Sequence, residues 1–285
     1  MADSSPLAGK IVIVTGSASG LGRVMTLGLT AAGARVAALD INEEGAAKTA
    51  DEAPDGSVLP IRTDVRRAED CTNAVKRALA GLGGLHGVVN CAGLGMAWLR
   101  RDFLSNPVRF WDVEPERWQQ LMDVNVRGPF LLACAAVHHL VDQRWGRIVN
   151  VTTSFNTMLR GANMPYGQSK AALEAASSAW AEDLAGTGVT VNVLVPGGAA
   201  DTPMIPEGSP YPREKLVRPQ AMVAPICWLM SDASVGVTGM RFVGRDWDPS
   251  LPAEENVRRA GSPAAWPDLA NSARNAQGAA GGIRS

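Results

Sequence analysis

Tyr166 and Lys170 stand four residues apart in Tyr166-Gly-Gln-Ser-Lys170, and Tyr166 is one of only two tyrosines in the chain. On a helix four residues make about one turn, so phenol and ammonium share a face. A phenol beside a fixed cation releases its proton more easily, because the positive charge favours phenolate. The pair reads as a general acid/base with a lowered phenol pKa. Upstream, Thr15-Gly16-Ser17-Ala18-Ser19-Gly20-Leu21-Gly22 supplies glycine-lined backbone able to approach a pyrophosphate, at the start of a helix whose amides attract negative charge. Its G-x-x-x-G-x-G spacing also describes an ordinary strand-to-helix turn. Taken together, the pair and the turn predict that protons and hydrides are moved in one site.

Asp40 ends a β-branched run about 20 residues past the glycine turn, where a carboxylate accepts hydrogen bonds from an adenosine ribose. Asp40-Ile-Asn-Glu43 also reads as a capping-box-like helix start, and the two roles are compatible. A carboxylate here repels the extra phosphate of NADP, and neither Ser17 nor Ile41 supplies a compensating cation. NAD is therefore the expected cofactor, with Gly16, Ser19, Gly20, Leu21, Gly22, Asp40 and Ile41 around it. Asp64, followed by Val65, reads both as an adenine contact and as a helix cap. In Asn90-Cys-Ala-Gly93 a flat ring could lie against Asn90, Ala92 and Gly93, although an ordinary turn explains the glycine equally well.

These residues need a frame. Short runs at 10–15, 36–40, 58–62, 87–90, 147–152, 190–195 and 240–243 read as strands, with helical patterns between most of them. Near-continuous apolar strands alternating with helices describe a Rossmann-type, doubly wound parallel sheet of α/β class. Ligands bind such sheets beyond the carboxyl ends of the strands, where Gly16, Asp40, Asp64, Asn90, Thr153 and Pro196 fall. Residues 1–248 are expected to form one catalytic domain, and 249–285 a Pro/Ala/Gly-rich extension, irregular or reaching to a neighbouring subunit.

Helical segments 115–140 and 166–184 are apolar or small on most faces, and charged residues make up 19% of the chain against about 25% for ordinary domains. Both features predict a homo-oligomer, dimer or tetramer. The net charge of −1 gives no reason to expect nucleic acid or a membrane surface as partner. The N-terminus has no basic start with a long apolar run, and no segment approaches about 18 uninterrupted apolar residues, so cytoplasm is expected. The four cysteines are far apart and read as reduced packing residues; the three histidines form no metal-ligand cluster.

From about residue 7 to 246 the chain resembles the short-chain dehydrogenase/reductase family, in its compact single-domain branch. The likeness rests on Thr15–Gly22, Asn90–Gly93, Asn125 in Asp-Val-Asn-Val, Tyr166 with Lys170, and Pro196-Gly197, in the family's order. It implies that Tyr166 is the acid/base, that Lys170 holds the nicotinamide ribose and lowers the phenol pKa, and that Asn125 supports a proton relay through water. Asn125 also fits a plain helix-bend role. The family's usual serine falls, by its interval back from the tyrosine, on Thr153, with Ser154 next; either hydroxyl can bond the substrate oxygen. After Pro196, Gly197 and Gly198, the threonine that contacts the nicotinamide amide comes one residue late, at Thr202. Val243-Gly-Arg-Asp-Trp247 replaces an acidic residue followed by two glycines.

The expected reaction is reversible oxidation of a secondary alcohol to a ketone. Trp98 in an aromatic-rich insertion at 94–114, Phe155 after the fifth strand, and Met204 in a lid at 201–216 suggest an apolar pocket for a cyclic or aromatic small molecule. The same aromatics could instead pack the insertion onto the sheet. A non-redox lyase or dehalogenase on this scaffold, and a non-catalytic NAD sensor, are the competing readings.

Overall fold

The computed structural model describes residues 5–268. Among them, eight strands form one sheet: β1 (Ile11–Thr15), β2 (Arg35–Asp40), β3 (Val58–Arg62), β4 (Gly87–Asn90), β5 (Gly146–Val151), β6 (Val189–Val195), β7 (Met240–Val243) and β8 (Gly261–Pro263). Their order is β3-β2-β1-β4-β5-β6-β7-β8. The first seven run parallel, and β8 lies antiparallel on β7. From β1 the chain winds outward to β3, then returns to place β4 on the other side of β1. That reversal opens a crevice beyond the carboxyl ends of β1 and β4, where ligands of such sheets bind.

Helices cover both faces: α1 (Gly20–Ala31), α2 (Glu43–Asp51), α3 (Ala68–Leu82), α4 (Pro115–Met122), α5 (Gly128–Asp142), α6 (Phe155–Leu159), α7 (Tyr166–Asp183), α8 (Val223–Leu229) and α9 (Ala253–Ala260). Alternation along β1 divides the core in two, as a pleated strand requires. Ile11 and Ile13 pack with Leu82, Leu132 and Leu140 of α3 and α5, whereas Val12 and Val14 pack with Leu29 and Ile226 of α1 and α8. Every residue of β1, β4, β5 and β6 is buried, which explains their unbroken apolar runs.

The helical stretch expected at 115–140 is interrupted at Asp123–Arg127 by a wider, π-type turn around buried Asn125. Pro115–Asp142 as a whole is long and apolar enough to cross a membrane, but Leu132, Ala136 and Leu140 face the core beneath α3. Its other face carries Phe130, 50% exposed, and exposed Cys134, so that cysteine is not a packing residue. The larger departure lies at the C-terminus: 254–259, which reads as a more structured spot in the extension, falls within α9, and 261–263, for which no strand is expected, form β8. Pairing of Gly261 with Phe242 and Ser262 with Arg241 converts β7 from an edge into an interior strand. The rest of the extension, 269–285, lies outside the described residues.

A polar ladder crosses the sheet interior. Asn90 Nδ2 donates to Asn150 Oδ1 (2.8 Å), Asn150 Nδ2 donates to Ser177 Oγ (2.8 Å), and Ser177 donates to the Leu173 carbonyl (2.6 Å). It joins β4, β5 and α7 beneath the crevice. Asn150→Ala leaves the Asn90 amide without its acceptor and opens a void beside Ser177, and the expected loss of stability is about 2–4 kcal/mol, read as a lowered urea midpoint. A wild-type midpoint would show that the ladder carries no weight.

Candidate active site

The glycine turn is built by close approach. Thr15 Oγ1 accepts hydrogen bonds from the N–H groups of Cys91 (2.9 Å) and Ala92 (3.0 Å), drawing the end of β4 against β1. Gly16 (φ +71°) then lies so near Ala92 that an added Cβ would stand 3.0 Å from its backbone. A Cβ on Gly22 would overlap the Gly16 carbonyl, so the turn folds onto the first turn of α1 only because both residues are glycine. Ser19 precedes α1 in extended conformation with no side-chain cap, leaving first-turn amides of Gly20, Leu21 and Gly22 outside the helix ladder. A bare turn ending in free amides is the cradle a pyrophosphate requires.

Asp40 braces this cradle. One carboxylate oxygen accepts from Ala18 N–H (3.0 Å) and the other from Asn42 N–H (2.9 Å), with Ile41 between them 54% exposed. Asn42, not Asp40, caps α2, by accepting from Gly45 N–H (3.1 Å). Ser17 is buried and donates to the Val14 carbonyl (2.6 Å), a structural role. Asp64 does not cap α3, which begins after Arg67. Its carboxylate is instead gripped by Arg66 at 2.6–3.1 Å, and that guanidinium holds its pKa below the usual value. Val65 packs beneath Gly128 at the start of α5.

Across the crevice, Tyr166 begins α7 and Thr153 follows β5. The Thr153 hydroxyl is near enough to the Tyr166 phenol to pull its pKa down. Ser154 is turned away and caps α6, accepting from Thr157 N–H (3.2 Å). The geometry thus separates the two hydroxyls that spacing left adjacent. Lys170 lies one turn along α7, 4% exposed, and its Nζ donates to the Val151 carbonyl (2.8 Å). Burial lowers its pKa to about 8.

The phenol departs from expectation. Its pKa is raised, because desolvation outweighs the Thr153 hydrogen bond that pulls it down. Lys170 points its Nζ to the Val151 carbonyl and is not among the groups that lower the phenol pKa, so sharing a helix face does not suffice. Asn125 is a staple: its amide exchanges hydrogen bonds with the Leu94 backbone (2.8 and 2.9 Å) and donates to Ser169 Oγ (3.0 Å). Gly93 backs onto Asn125 and Lys170, within 3.5 Å of where its Cβ would be.

The lid sits across the crevice. Pro196-Gly197 leads into it, with Gly197 at φ +95° against Val243, and Gly198 against Val217. Thr202 packs on Gly20, and Met204 on Gly95. Arg213 clamps the segment by donating to Asp201 (2.7 Å) and the Ile205 carbonyl (2.8 Å). A cleft of about 480 Å³ lies between the lid and the insertion, lined by Arg101, Asp102, Leu104, Pro203, Glu207 and Pro210. Trp98 is half-exposed beside Arg117, while Phe155 opens α6 two residues after Thr153.

Two polar residues escape the sequence reading, Glu174 and Arg241, and Thr15 enters it only as the first residue of the glycine turn. Glu174 had a visible signal, as the next residue in the four-residue series 166, 170, 174 and a carboxylate among alanines. Thr15 looked like an ordinary strand residue, and Arg241 gave no local signal.

Lys170 makes stability depend on pH. Below about pH 8 the folded chain carries a buried charge; between about 8 and 10.5 the unfolded chain holds a proton that the folded chain has released. Stability contributed by this residue therefore rises with pH, by about 2 kcal/mol from pH 7.5 to 9.5. The thiols of Cys71, Cys91 and Cys227, whose pKa values desolvation raises, act in the opposite sense. The difference between wild type and Lys170→Met in urea unfolding isolates the lysine; a pH-independent difference would contradict this account.

Residues 10–210 match the family model for short chain dehydrogenases. The chain is 34% identical over 248 residues to a 2,5-dichloro-2,5-cyclohexadiene-1,4-diol dehydrogenase of Sphingobium indicum, covering 82% of this chain and 95% of the relative. It is 32% identical over 251 residues to the 3-oxoacyl-acyl-carrier-protein reductase FabG of Thermotoga maritima, covering 84% and 97%. Similar solved structures include a short-chain type dehydrogenase/reductase from Mycobacterium marinum, with TM-score 0.75, 28% identity, and coverage of 85% and 96%. Another is a 3-ketoacyl-(acyl-carrier-protein) reductase from Brucella melitensis complexed with NADH, with TM-score 0.72, 26% identity, and coverage of 81% and 95%. The glycine turn at the β1–β4 crevice, the tyrosine and lysine on α7 and these likenesses agree: the chain belongs to the short-chain dehydrogenase family of nicotinamide-dependent oxidoreductases.

Proposed function

We propose that this chain is an NAD-dependent dehydrogenase interconverting a cyclic secondary alcohol and its ketone, with Tyr166 as acid/base. The observation carrying this reading is the placing of Tyr166 and Lys170 one turn apart on α7, with Lys170 Nζ on the Val151 carbonyl at the end of β5 and the glycine cradle across the crevice. In the oxidation direction, Tyr166 as phenolate takes the substrate hydroxyl proton and Thr153 hydrogen-bonds the same oxygen as it becomes a carbonyl. The nicotinamide, when bound, accepts the hydride. Lys170 keeps donors free beyond its bond to Val151, and these hold the nicotinamide ribose. Asn125 fixes the loop after β4, and through Ser169 the start of α7. Positioning supplies much of the acceleration, since the reacting oxygen meets Tyr166 and Thr153 already oriented.

NAD is favoured over NADP because Asp40 places a carboxylate beside the glycine turn, where a ribose phosphate would be repelled. A cyclic substrate is supported by the cyclohexadienediol named for the Sphingobium relative. Exposed Phe130 and Cys134 on α5, with Ala175 and Ala179 on α7, support a homo-oligomer.

Tyr166→Phe is expected to lower kcat at least about a hundredfold while NAD binding, followed by protein fluorescence, stays within about twofold. Near-normal NADH formation from a panel of cyclic, aromatic, sugar and hydroxy-acid alcohols would refute the assignment. Because the reactive base is phenolate, oxidation should accelerate as pH rises toward the raised phenol pKa, and ketone reduction should show the reverse trend. For selectivity, Asp40→Ala should weaken NAD use roughly ten- to a hundredfold, the loss of charged hydrogen bonds, and raise NADP use relative to NAD. An unchanged ratio of kcat/KM for the two cofactors would remove Asp40 from that role.

A further inference from the structure

Behind Thr153 lies a buried ion pair that the proposed reaction does not use. Glu174 and Arg241 meet at 2.7 Å with side chains 0% and 5% exposed. The carboxylate also accepts from Thr152 Oγ1 (2.6 Å), while the other branch of the guanidinium, Nη2, donates to the Thr153 carbonyl (2.7 Å). One planar fork thus joins the carboxylate of α7 to the backbone that carries the Thr153 hydroxyl. The pair is enclosed by chain from beyond the domain boundary expected at 248. Ser262 pairs with Arg241 across β7 and β8, Ala264 is buried with Val193 and Val195, and Ala265 N–H points at the free Glu174 oxygen (3.4 Å). Trp266 then lies 6.0 Å, centroid to centroid, from Phe155, whose ring stacks on Arg241 at 4.2 Å.

We propose that segment 261–266 is a working part of the site in its own chain: it seals the Glu174–Arg241 pair, and that pair positions Thr153 against Tyr166. Glu174 and Arg241 are positioning residues that act through the Thr153 backbone. A buried charge pair is a costly way to stabilise a fold, since apolar residues of similar volume often serve as well or better. What apolar residues do not supply is a donor fixed on the Thr153 carbonyl. The proposal rests on Thr153 acting with Tyr166 as described above, but its test does not require turnover.

Tyr166 and Tyr211 are the chain's two tyrosines, so in full-length Tyr211→Phe protein labelled with 13Cζ-tyrosine the single resonance reports the Tyr166 phenol. Glu174→Leu with Arg241→Met replaces the pair with apolar side chains and preserves the fold; circular dichroism and urea unfolding verify this. In that variant the Tyr166 titration should move to higher pH, as it should in Thr153→Ala, and the apolar pair introduced on top of Thr153→Ala should add nothing. Ala264→Glu, which dislodges the strap without touching the pair, should give the same upward shift. Where a turned-over alcohol is found, kcat should fall roughly ten- to a hundredfold with KM for NAD unchanged. A titration that stays at the wild-type position in the folded variant, or shifts as far when Thr153 is alanine, overturns the proposal. So does an Ala264→Glu titration that stays in place. A wild type that oxidises no alcohol contradicts the redox reading alone, because the titration still decides this one.

Discussion

Burial of a parallel sheet on both faces is the constraint on which the rest of this molecule depends. Helices occupy both sides of β1, β4, β5 and β6, so reactive polar groups have little room in the sheet except at its carboxyl edge. The winding reversal between β1 and β4 then makes one point along that edge concave. Glycine turn, Asp40, Asn90, Thr153 and Tyr166 gather near it because the sheet leaves them few other places. The site is a consequence of the architecture.

Three chains pair polar groups in the interior, while Thr26, His139, Thr190 and Trp228 each bury a polar atom without a partner among the described residues. Asn90, Asn150 and Ser177 form one, Thr15 with Cys91 and Ala92 a second, and Glu174 with Arg241, Thr152 and the Thr153 carbonyl a third. Each links elements far apart in sequence just beneath the crevice. Unpaired, these groups would each cost roughly 1–3 kcal/mol, and a lone buried charge more, so their satisfaction strongly constrains relative strand and helix positions. Local rigidity at the crevice follows, which suits chemistry in which positions matter to fractions of an ångström.

Electrostatics at the site is set by desolvation more than by neighbouring charge. Lys170 is driven down to about 8 and the Tyr166 phenol is driven up, both by burial. A hydroxyl from Thr153 opposes the rise in the phenol, and the ammonium four residues away does not. Hydrogen bonding and proximity thus take over work that a charge argument assigns to lysine.

Strand positions, the parallel α/β architecture, the glycine turn and the tyrosine–lysine spacing were all legible in the sequence, because each depends on local pattern: apolar runs, glycine at tight approaches, and helical periodicity. Asp40 was legible for the same reason, as the acidic residue at the end of the second run. Three matters were decided only by tertiary structure. Thr153 and Ser154 are neighbours of the same chemistry, and a helix cap claims Ser154 while the Thr153 hydroxyl is left to act on the phenol of α7. The direction of the phenol shift depends on how much water burial removes, which no spacing encodes. The C-terminal strand and the Glu174–Arg241 pair required β7, α7 and a three-residue strand from beyond the expected domain boundary to come together, and contacts of such separation leave no periodic trace in a single chain.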